Sequence, residues 1–323
     1  MNKKPEISVI LPVFNGMKYL EKSVFSVLNQ NFSDYEFLIC DDCSADESFR
    51  FLSNLKDKRI KLFKNDINKG LFPTLNFLIK QTSSNIIQLW AQDDIMLPEC
   101  LSETVIFFKR FPDISFMFSR LQNIDKNDKI INRPPIYPDK VISTFEHAVR
   151  SVSYGSMPGN IANVVLNKKY VEKVGFFNEA MKYSGDFDMW CRLSKLAPVG
   201  ECGKILTHVR THKNQLSRNP EVSYFKLKEN FFVYNCLLDV FSEKQKNHAR
   251  KILKWRHYPL FFNQFISLFF SGKFTLSRKY FSLLIKYDRF FLLFFRWTVI
   301  RCLRVIKKEH SFYRKIRYGF IEE

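Results

Sequence analysis

Between residue 7 and about residue 118 the chain alternates short, continuous apolar runs with longer segments of helical period. The runs are ISVILPVF (7–14), YEFLIC (35–40), RIKLF (59–63), NIIQLW (85–90) and ISFMFS (114–119). Short runs that are apolar at successive positions describe strands covered on both faces, as in a parallel sheet. Between them, YLEKSVFSVLNQ (19–30) and ESFRFLSNLKD (47–57) repeat apolar residues every three to four positions, the period of an amphipathic helix. Ser44 and Glu47 have the spacing of a capping box for the second helix. Strand, helix and strand at this spacing predict a doubly wound α/β sheet.

The pattern loosens after residue 120. Turn residues at 125–128 and prolines at 134, 135 and 138 read as a hairpin and a connecting loop as far as residue 160. Then come a strand candidate (NIANVVLN, 160–167), a short helix, the stretch SGDFDMWCRLSKLAP (184–198) and a second strand candidate (KILTHVRT, 204–211). These complete a first domain, residues 1–220. Residues 221–323 differ in kind, with 21 Lys and Arg against 8 Asp and Glu and dense phenylalanine, as in PLFFNQFISLFF (259–270). Basic, aromatic segments of helical period suit helices that lie on an anionic membrane. The longest charge-free run there, 257–272, is shorter than the about 20 apolar residues of a spanning helix.

Composition narrows the class. A chain of 323 residues, 46% hydrophobic, can bury a full core, and disorder is excluded as the general state. The net charge of +19 points to anionic partners without choosing among nucleotides, nucleic acid and lipid. Seven cysteines in no metal-type repeat fit a reduced, cytosolic compartment. The N-terminal MNKKPEISVILPVF reads as a strand rather than a signal peptide, because Glu6 interrupts the apolar run and no small-residue cleavage site follows.

Candidate chemistry gathers where the strands end, at the edge where open α/β sheets bind ligands. Asn15 follows the first run, Asp41 and Asp42 the second, Asn65 and Asp66 the third, Asp93 and Asp94 the fourth. Adjacent carboxylates repel unless a proton or a cation relieves them. Asp93 and Asp94 in a turn can take Mg2+ or Mn2+, which prefer hard oxygen ligands and complete their shell with substrate phosphates. The plainer alternative is a solvated turn in which Asp94 caps the helix starting near Pro98. The acidic turn at Asp41 and Asp42 can accept hydrogen bonds from a nucleobase or ribose, or can be a simple Asx turn.

Six stretches in order, ISVILPVFN, FLICDDCSADES, NKGLFPTLN, WAQDDIMLPECL, GFFNEAMKYSGDFDMWCRL and VRTHKNQLS, resemble the inverting glycosyltransferase family 2, over roughly residues 6–217. The resemblance implies a GT-A fold, a mixed doubly wound sheet with a nucleotide-binding half, here followed by a helical C-terminal extension. By the same resemblance, Pro12, Val13 and Asn15 line the nucleotide site, Asp41 contacts the base, usually uracil, and Asp42 is its neighbour. Asn68, Gly70 and Asn76 belong to the loop and helix near the nucleotide. Gln92 is counted with them, Asp93 is the metal ligand with Asp94 beside it, Asp186 is the general base, and His212 approaches the metal or diphosphate. Trp190 and Arg192 belong to the helix that carries the base. Three positions depart from the pattern: Cys43 stands where glycine is usual, Ala91 and Gln92 leave the D-x-D motif without its first carboxylate, and Gly185 replaces the glutamate before the base.

The expectation is therefore an enzyme that transfers a sugar from a nucleotide-diphosphate sugar, UDP favoured, to a hydroxyl of a glycan or lipid-linked acceptor. It would act with inversion, helped by Mg2+ or Mn2+, at the inner face of the cell membrane in polysaccharide biosynthesis. Asp188 is the rival base. Two other readings compete: a nucleic-acid-binding protein using the basic last third, and a nucleotide-binding homologue without catalysis. No helix-turn-helix, zinc finger or RNP-like motif supports the first, and the retained Asp93, Asp94 and Asp186 count against the second.

Overall fold

The computed structural model describes residues 4–211 and 220–318. Four strands, β1 (Ile7–Val13), β2 (Tyr35–Asp41), β3 (Ile60–Lys64) and β4 (Ile86–Leu89), lie parallel in the order β3-β2-β1-β4. Both neighbours of β1 pair with it in register, Val13 opposite Asp41 and Ile10 opposite Leu89. Every residue of β2 is buried, as its unbroken apolar run requires. Beyond β4 the sheet turns mixed. β8 (Val164–Asn167) runs antiparallel to both β4 and β6 (Phe116–Ile124), and β6 pairs in parallel with β9 (Val199–Arg210). Two short strands, β5 (Ile95–Met96) and β7 (Lys140–Ile142), add antiparallel pairings to the two ends of β9. The sheet is thus the mixed, doubly wound α/β sheet expected from the sequence.

Helices α1 (Met17–Leu28), α2 (Ser48–Ser53), α3 (Leu71–Gln81) and α4 (Cys100–Arg110) follow the first strands. The helical period of α1 places Leu20, Val24 and Val27 against Val9, Leu11 and Val13 of β1, in a core that also holds Trp90. The indole N–H of Trp90 donates to Ser23 Oγ at 2.8 Å, so the largest core side chain leaves no polar atom unpaired. A buried carboxylate is compensated the same way. Glu36 in β2 accepts from Ser8 Oγ and Lys61 Nζ, each at 2.6 Å, and from the Ser83 N–H at 2.5 Å.

Two expectations need correction. The helix read over 47–57 shortens to α2, and Ser44 does not cap it: its hydroxyl accepts the Asn15 N–H instead. In the segment expected to be hairpin and loop, the hairpin forms around Asp125 and Lys129, but residues 144–154 form a further helix, α5 (Thr144–Tyr154). Its buried face carries His147 and Ser151 beside Ala148 and Val152, so polarity hid the helical period.

The chain divides into two compact units, one of Met1–Thr144 with Pro158–Gln215, the other of Phe145–Met157 with Leu216–Glu323. The first also contains α6 (Lys168–Val174) and α7 (Gly185–Leu196). The second, besides most of α5, consists of α8 (Pro220–Leu238), α9 (Glu243–Arg256), α10 (Tyr258–Phe270), α11 (Phe274–Leu284), α12 (Phe290–Val305) and α13 (Glu309–Tyr318). Within it, buried His257 donates through Nε2 to the Val152 carbonyl at 2.9 Å, and burial lowers its pKa to about 4, which keeps the ring neutral.

Gly200 in β9 marks the tightest packing of this sheet against α4. A Cβ there would stand 2.5 Å from the Phe107 ring and 2.8 Å from Ile114 Cδ1. Gly200→Ala is expected to cost about 1–3 kcal/mol by overpacking, read as a lower urea midpoint with an unchanged slope.

Candidate active site

The first two strand ends are locked to each other by backbone N–H groups. Asn15 takes a positive φ of 47°, and this turn aims three successive N–H groups at the β2–α2 loop. Asn15 N donates to Ser44 Oγ at 2.9 Å, Gly16 N to Ser48 Oγ at 3.0 Å and Met17 N to Asp46 Oδ2 at 3.0 Å. The Asn15 side chain returns the bond by accepting the Ala45 N–H at 2.8 Å. Asn15 thus helps build the turn, Val13 lies in the core, and Pro12 before it is half-buried.

The two carboxylates after β2 separate sharply. Asp42 is saturated: its oxygens accept from Asn65 Nδ2 at 2.7 Å, Lys69 N at 2.9 Å and Gly70 N at 2.8 Å. It therefore holds the β3–α3 loop, including Gly70, rather than facing a ligand; Asn68 in that loop is exposed. Asp41 is fully buried, with Oδ1 accepting the Ser44 N–H at 3.0 Å and Oδ2 without a hydrogen-bond partner among the described residues. A buried carboxylate oxygen in that condition costs free energy until a donor reaches it. Cys43 follows at a φ of 64°, the left-handed backbone that glycine would take without strain.

At the end of β4, Gln92 clips the loop to β1: its Oε1 accepts the Phe14 N–H at 2.8 Å and its Nε2 donates to the Phe14 carbonyl at 3.0 Å. Both ends of its amide thus bind the β1 end at which a nucleotide contact was expected of it. Asp93 is half-buried and Asp94 buried. Asp94 Oδ1 accepts the Arg210 N–H at 2.8 Å, tying the turn to β9, and Oδ2 has no hydrogen-bond partner among the described residues. Burial and the neighbouring Asp93 charge raise the Asp94 pKa well above the carboxylate range, against the pull of Arg210.

Arg210 is the residue that the sequence did not single out, although it stands in the quoted segment VRTHKNQLS. It is 1% exposed. Its Nε donates to the Asp93 carbonyl at 2.8 Å, its Nη1 to the Asp125 carbonyl at 3.1 Å and to the Asp128 carboxylate, and its guanidinium lies 4.6 Å from the Tyr19 ring centre. Asp128 is shared with Lys22. One buried cation thus joins the acidic turn after β4, the hairpin after β6 and the end of β9. His212 lies outside the described residues.

Asp186 occupies the first turn of α7 and is half-buried. Its rival Asp188 is engaged, accepting from Arg192 Nε at 2.8 Å while the same guanidinium binds the Val174 and Phe176 carbonyls at 2.8 Å each. Asn76, expected near the nucleotide, instead pins the approach to α7: it donates to the Phe177 carbonyl at 2.9 Å and Glu179 Oε1 at 2.8 Å, and accepts the Phe177 N–H at 2.9 Å. Trp190 is buried against Phe116 and Phe177. Gly185 has a steric reason, since a Cβ there would meet the Phe72 ring at 2.7 Å, and Phe72 stacks on Phe177 at 5.5 Å.

Whether a divalent cation suits the acidic turn depends on its donors. Asp93 offers a hard, half-buried carboxylate, and the bare buried oxygen of Asp94 next to it would gain from positive charge nearby. The described residues hold no cluster of three or more His, Cys, Asp or Glu able to bind a metal. The donor set fits a cation that draws most of its shell from phosphate and water.

Comparison with known proteins gives a family and a fold. Residues 8–174 match the family described as Glycosyl transferase family 2. An uncharacterized glycosyltransferase of Rickettsia conorii is 27% identical over 217 residues, 66% of this chain and 35% of that protein, so this chain spans about a third of that relative's length. The UDP-Glc:alpha-D-GlcNAc-diphosphoundecaprenol beta-1,3-glucosyltransferase WfgD of Escherichia coli is 26% identical over 215 residues, 66% of this chain and 80% of that protein. The structure of S. aureus TarS 1-349 in complex with UDP-GlcNAc superposes with a TM-score of 0.65 over 98% of this chain and 92% of that one, at 15% identity, a likeness of fold.

Replacing Arg210 should show how much the turn depends on it. Arg210→Met leaves Asp94 and Asp128 without their buried cation, and a loss of about 3–5 kcal/mol is expected by urea unfolding.

Proposed function

The chain belongs to glycosyl transferase family 2 and is a transferase, and from that premise we propose that it moves a sugar from a UDP-sugar to a hydroxyl of a glycan or lipid-linked acceptor. The transfer inverts the anomeric carbon and serves cell-surface polysaccharide assembly. The observation that carries the donor side is the bare Asp41 Oδ2, a buried acceptor at the strand end where a nucleotide binds. The imide N–H of uracil is a donor of the kind it lacks. The UDP-GlcNAc bound to TarS and the UDP-Glc in the name of WfgD support a uridine nucleotide, and the diphosphoundecaprenol in that name supports a lipid-linked acceptor.

On the acceptor side, Asp186 is the base. A sugar hydroxyl becomes a competent nucleophile when a carboxylate within hydrogen-bond reach takes its proton as the new bond forms. Asp186 stands in the N-terminal turn of α7, at the positive end of the helix dipole. The ion pair of Asp188 with Arg192 supports Asp186 over it. Asn76 and the Phe72–Phe177 stack hold the segment from which α7 starts. Asp93 would hold Mg2+ or Mn2+ together with the donor diphosphate, and the ion would offset charge on the departing UDP.

The second unit is the membrane-facing part in this reading, peripheral at the inner face of the cell membrane. Its cation surplus of 13 over residues 221–323 supports an anionic surface as partner. Among the described residues no helix is long and apolar enough to cross a membrane.

Three substitutions separate the roles. Asp186→Asn is expected to lower transfer by about 10²–10⁴-fold with UDP affinity unchanged by calorimetry, and full activity would remove it as the base. Asp41→Asn should weaken UDP binding by about 10–100-fold, the worth of a charge-assisted hydrogen bond. For Asp93→Ala, UDP binding should lose its response to added Mg2+ or Mn2+; a response equal to the wild type would move the cation elsewhere.

A further inference from the structure

Helix α12 has apolar residues on two opposite faces. Leu293 and Ile300, seven positions apart, are buried, and Arg296 and Trp297 lie beside them, partly covered. Phe291, Phe295, Thr298, Cys302 and Val305 follow at spacings of three and four, which puts them on one stripe of the helix, and all five are exposed. Phe291 is 82% and Val305 81% exposed. The inward side needs no further partner: Phe262 of α10, itself buried, packs against Phe290, Phe294 and Trp297 at ring separations of 5.8–6.4 Å. Phe295 of the outward stripe meets the Trp255 ring of α9 at 6.2 Å, while Phe291 and Val305 stand out beyond the packing of the unit. Single exposed apolar residues are ordinary on a protein surface; a ring-rich stripe running the length of a helix marks a contact surface.

The charges around the stripe identify the partner. Between Tyr258 and Lys308 the chain carries ten Lys and Arg and a single acidic residue, Asp288. Asp288 is buried, and its carboxylate is engaged by Arg296 and by Lys254 at 3.6 Å. The surface of α10, α11 and α12 thus offers cations and apolar side chains with no exposed carboxylate among them. Arg289 precedes the stripe and Arg301 borders it, the latter stacked 4.9 Å from the Trp297 ring. An anionic lipid surface meets both requirements together, taking rings among the upper acyl chains and cations at the headgroups. Nucleic acid would satisfy the cations and leave Val305 and the phenylalanine stripe in water. With 16 residues, α12 is too short to span a bilayer and suits lying in its interface.

We propose that α12 is the lipid-docking element of this protein, lying along an anionic membrane with Phe291, Phe295 and Val305 immersed. This rests on the membrane reading given above and deepens it by assigning the surface. Apolar insertion holds the helix, and the bordering cations select acidic headgroups and make binding sensitive to salt.

Co-sedimentation of the full chain with vesicles tests it. The wild type should pellet with equal parts phosphatidylcholine and phosphatidylglycerol, less so in high salt, and not with phosphatidylcholine alone. Phe291→Ser with Val305→Ser should weaken that binding by about tenfold or more, with unchanged melting and circular dichroism because both side chains stand largely in solvent. Phe225→Ser with Phe232→Ser, two exposed rings of α8, should bind as the wild type does. If the α12 variant binds like the wild type while the wild type binds anionic vesicles, the assignment to α12 is wrong and the membrane reading survives. If the wild type fails to bind anionic vesicles, the membrane reading falls and this assignment with it.

Discussion

Arg210 is almost wholly withdrawn from water, and a buried guanidinium costs free energy that nearby oxygens must offset. It meets the Asp93 carbonyl, the Asp125 carbonyl and the Asp128 carboxylate, while its own backbone N–H goes to Asp94. These partners come from two separate places in the chain, so the one cation closes the β4 turn and the hairpin after β6 upon β9, the strand that carries it. The consequence for chemistry is positional. With the Asp94 carboxylate turned inward and tied to the β9 backbone, Asp93 is the half-buried carboxylate of the turn, and the Arg210 bond to its carbonyl restrains where that carboxylate can stand.

Helix α3 performs a comparable service between the other two parts of the site. At its start, Asp42 collects the N–H groups of Lys69 and Gly70; in its middle, Asn76 grips Phe177 and Glu179; and Phe72 fills the space that a side chain at 185 would need. The loop beside Asp41 and the helix carrying Asp186 are therefore referred to one rigid element. The glycine that departs from the family pattern is explained by this packing, because the Phe72 ring and a Cβ at 185 cannot both be accommodated.

The second unit obeys a different logic. Its interior is a lattice of aromatic rings, such as Phe231 stacked on Tyr287 at 3.9 Å, and its neutral buried His257 joins Val152 of α5 to the helices after residue 220. A basic helical region with aromatic rings was legible from composition. That α5 belongs with it was not, since the pairing spans about a hundred residues and the helix disguises its buried face with His147 and Ser151.

What the sequence determined alone was the order of strands and helices, the edge at which polar residues collect, and the family that those motifs resemble. Short-range periodicity carries that information, because burial on a strand or a helix recurs every two or 3.6 residues. What it could not decide was which polar groups remain available. Asp42, Asn76, Gln92 and Asp94 look like ligands when read along the chain, yet their bonds reach Gly70, Phe177, Phe14 and Arg210, at separations of 28, 101, 78 and 116 residues. A carboxylate or amide spent on distant backbone cannot be told from a free one by its neighbours in sequence. Only the folded chain, by bringing those N–H groups within hydrogen-bond distance, shows which of these side chains hold the loops together.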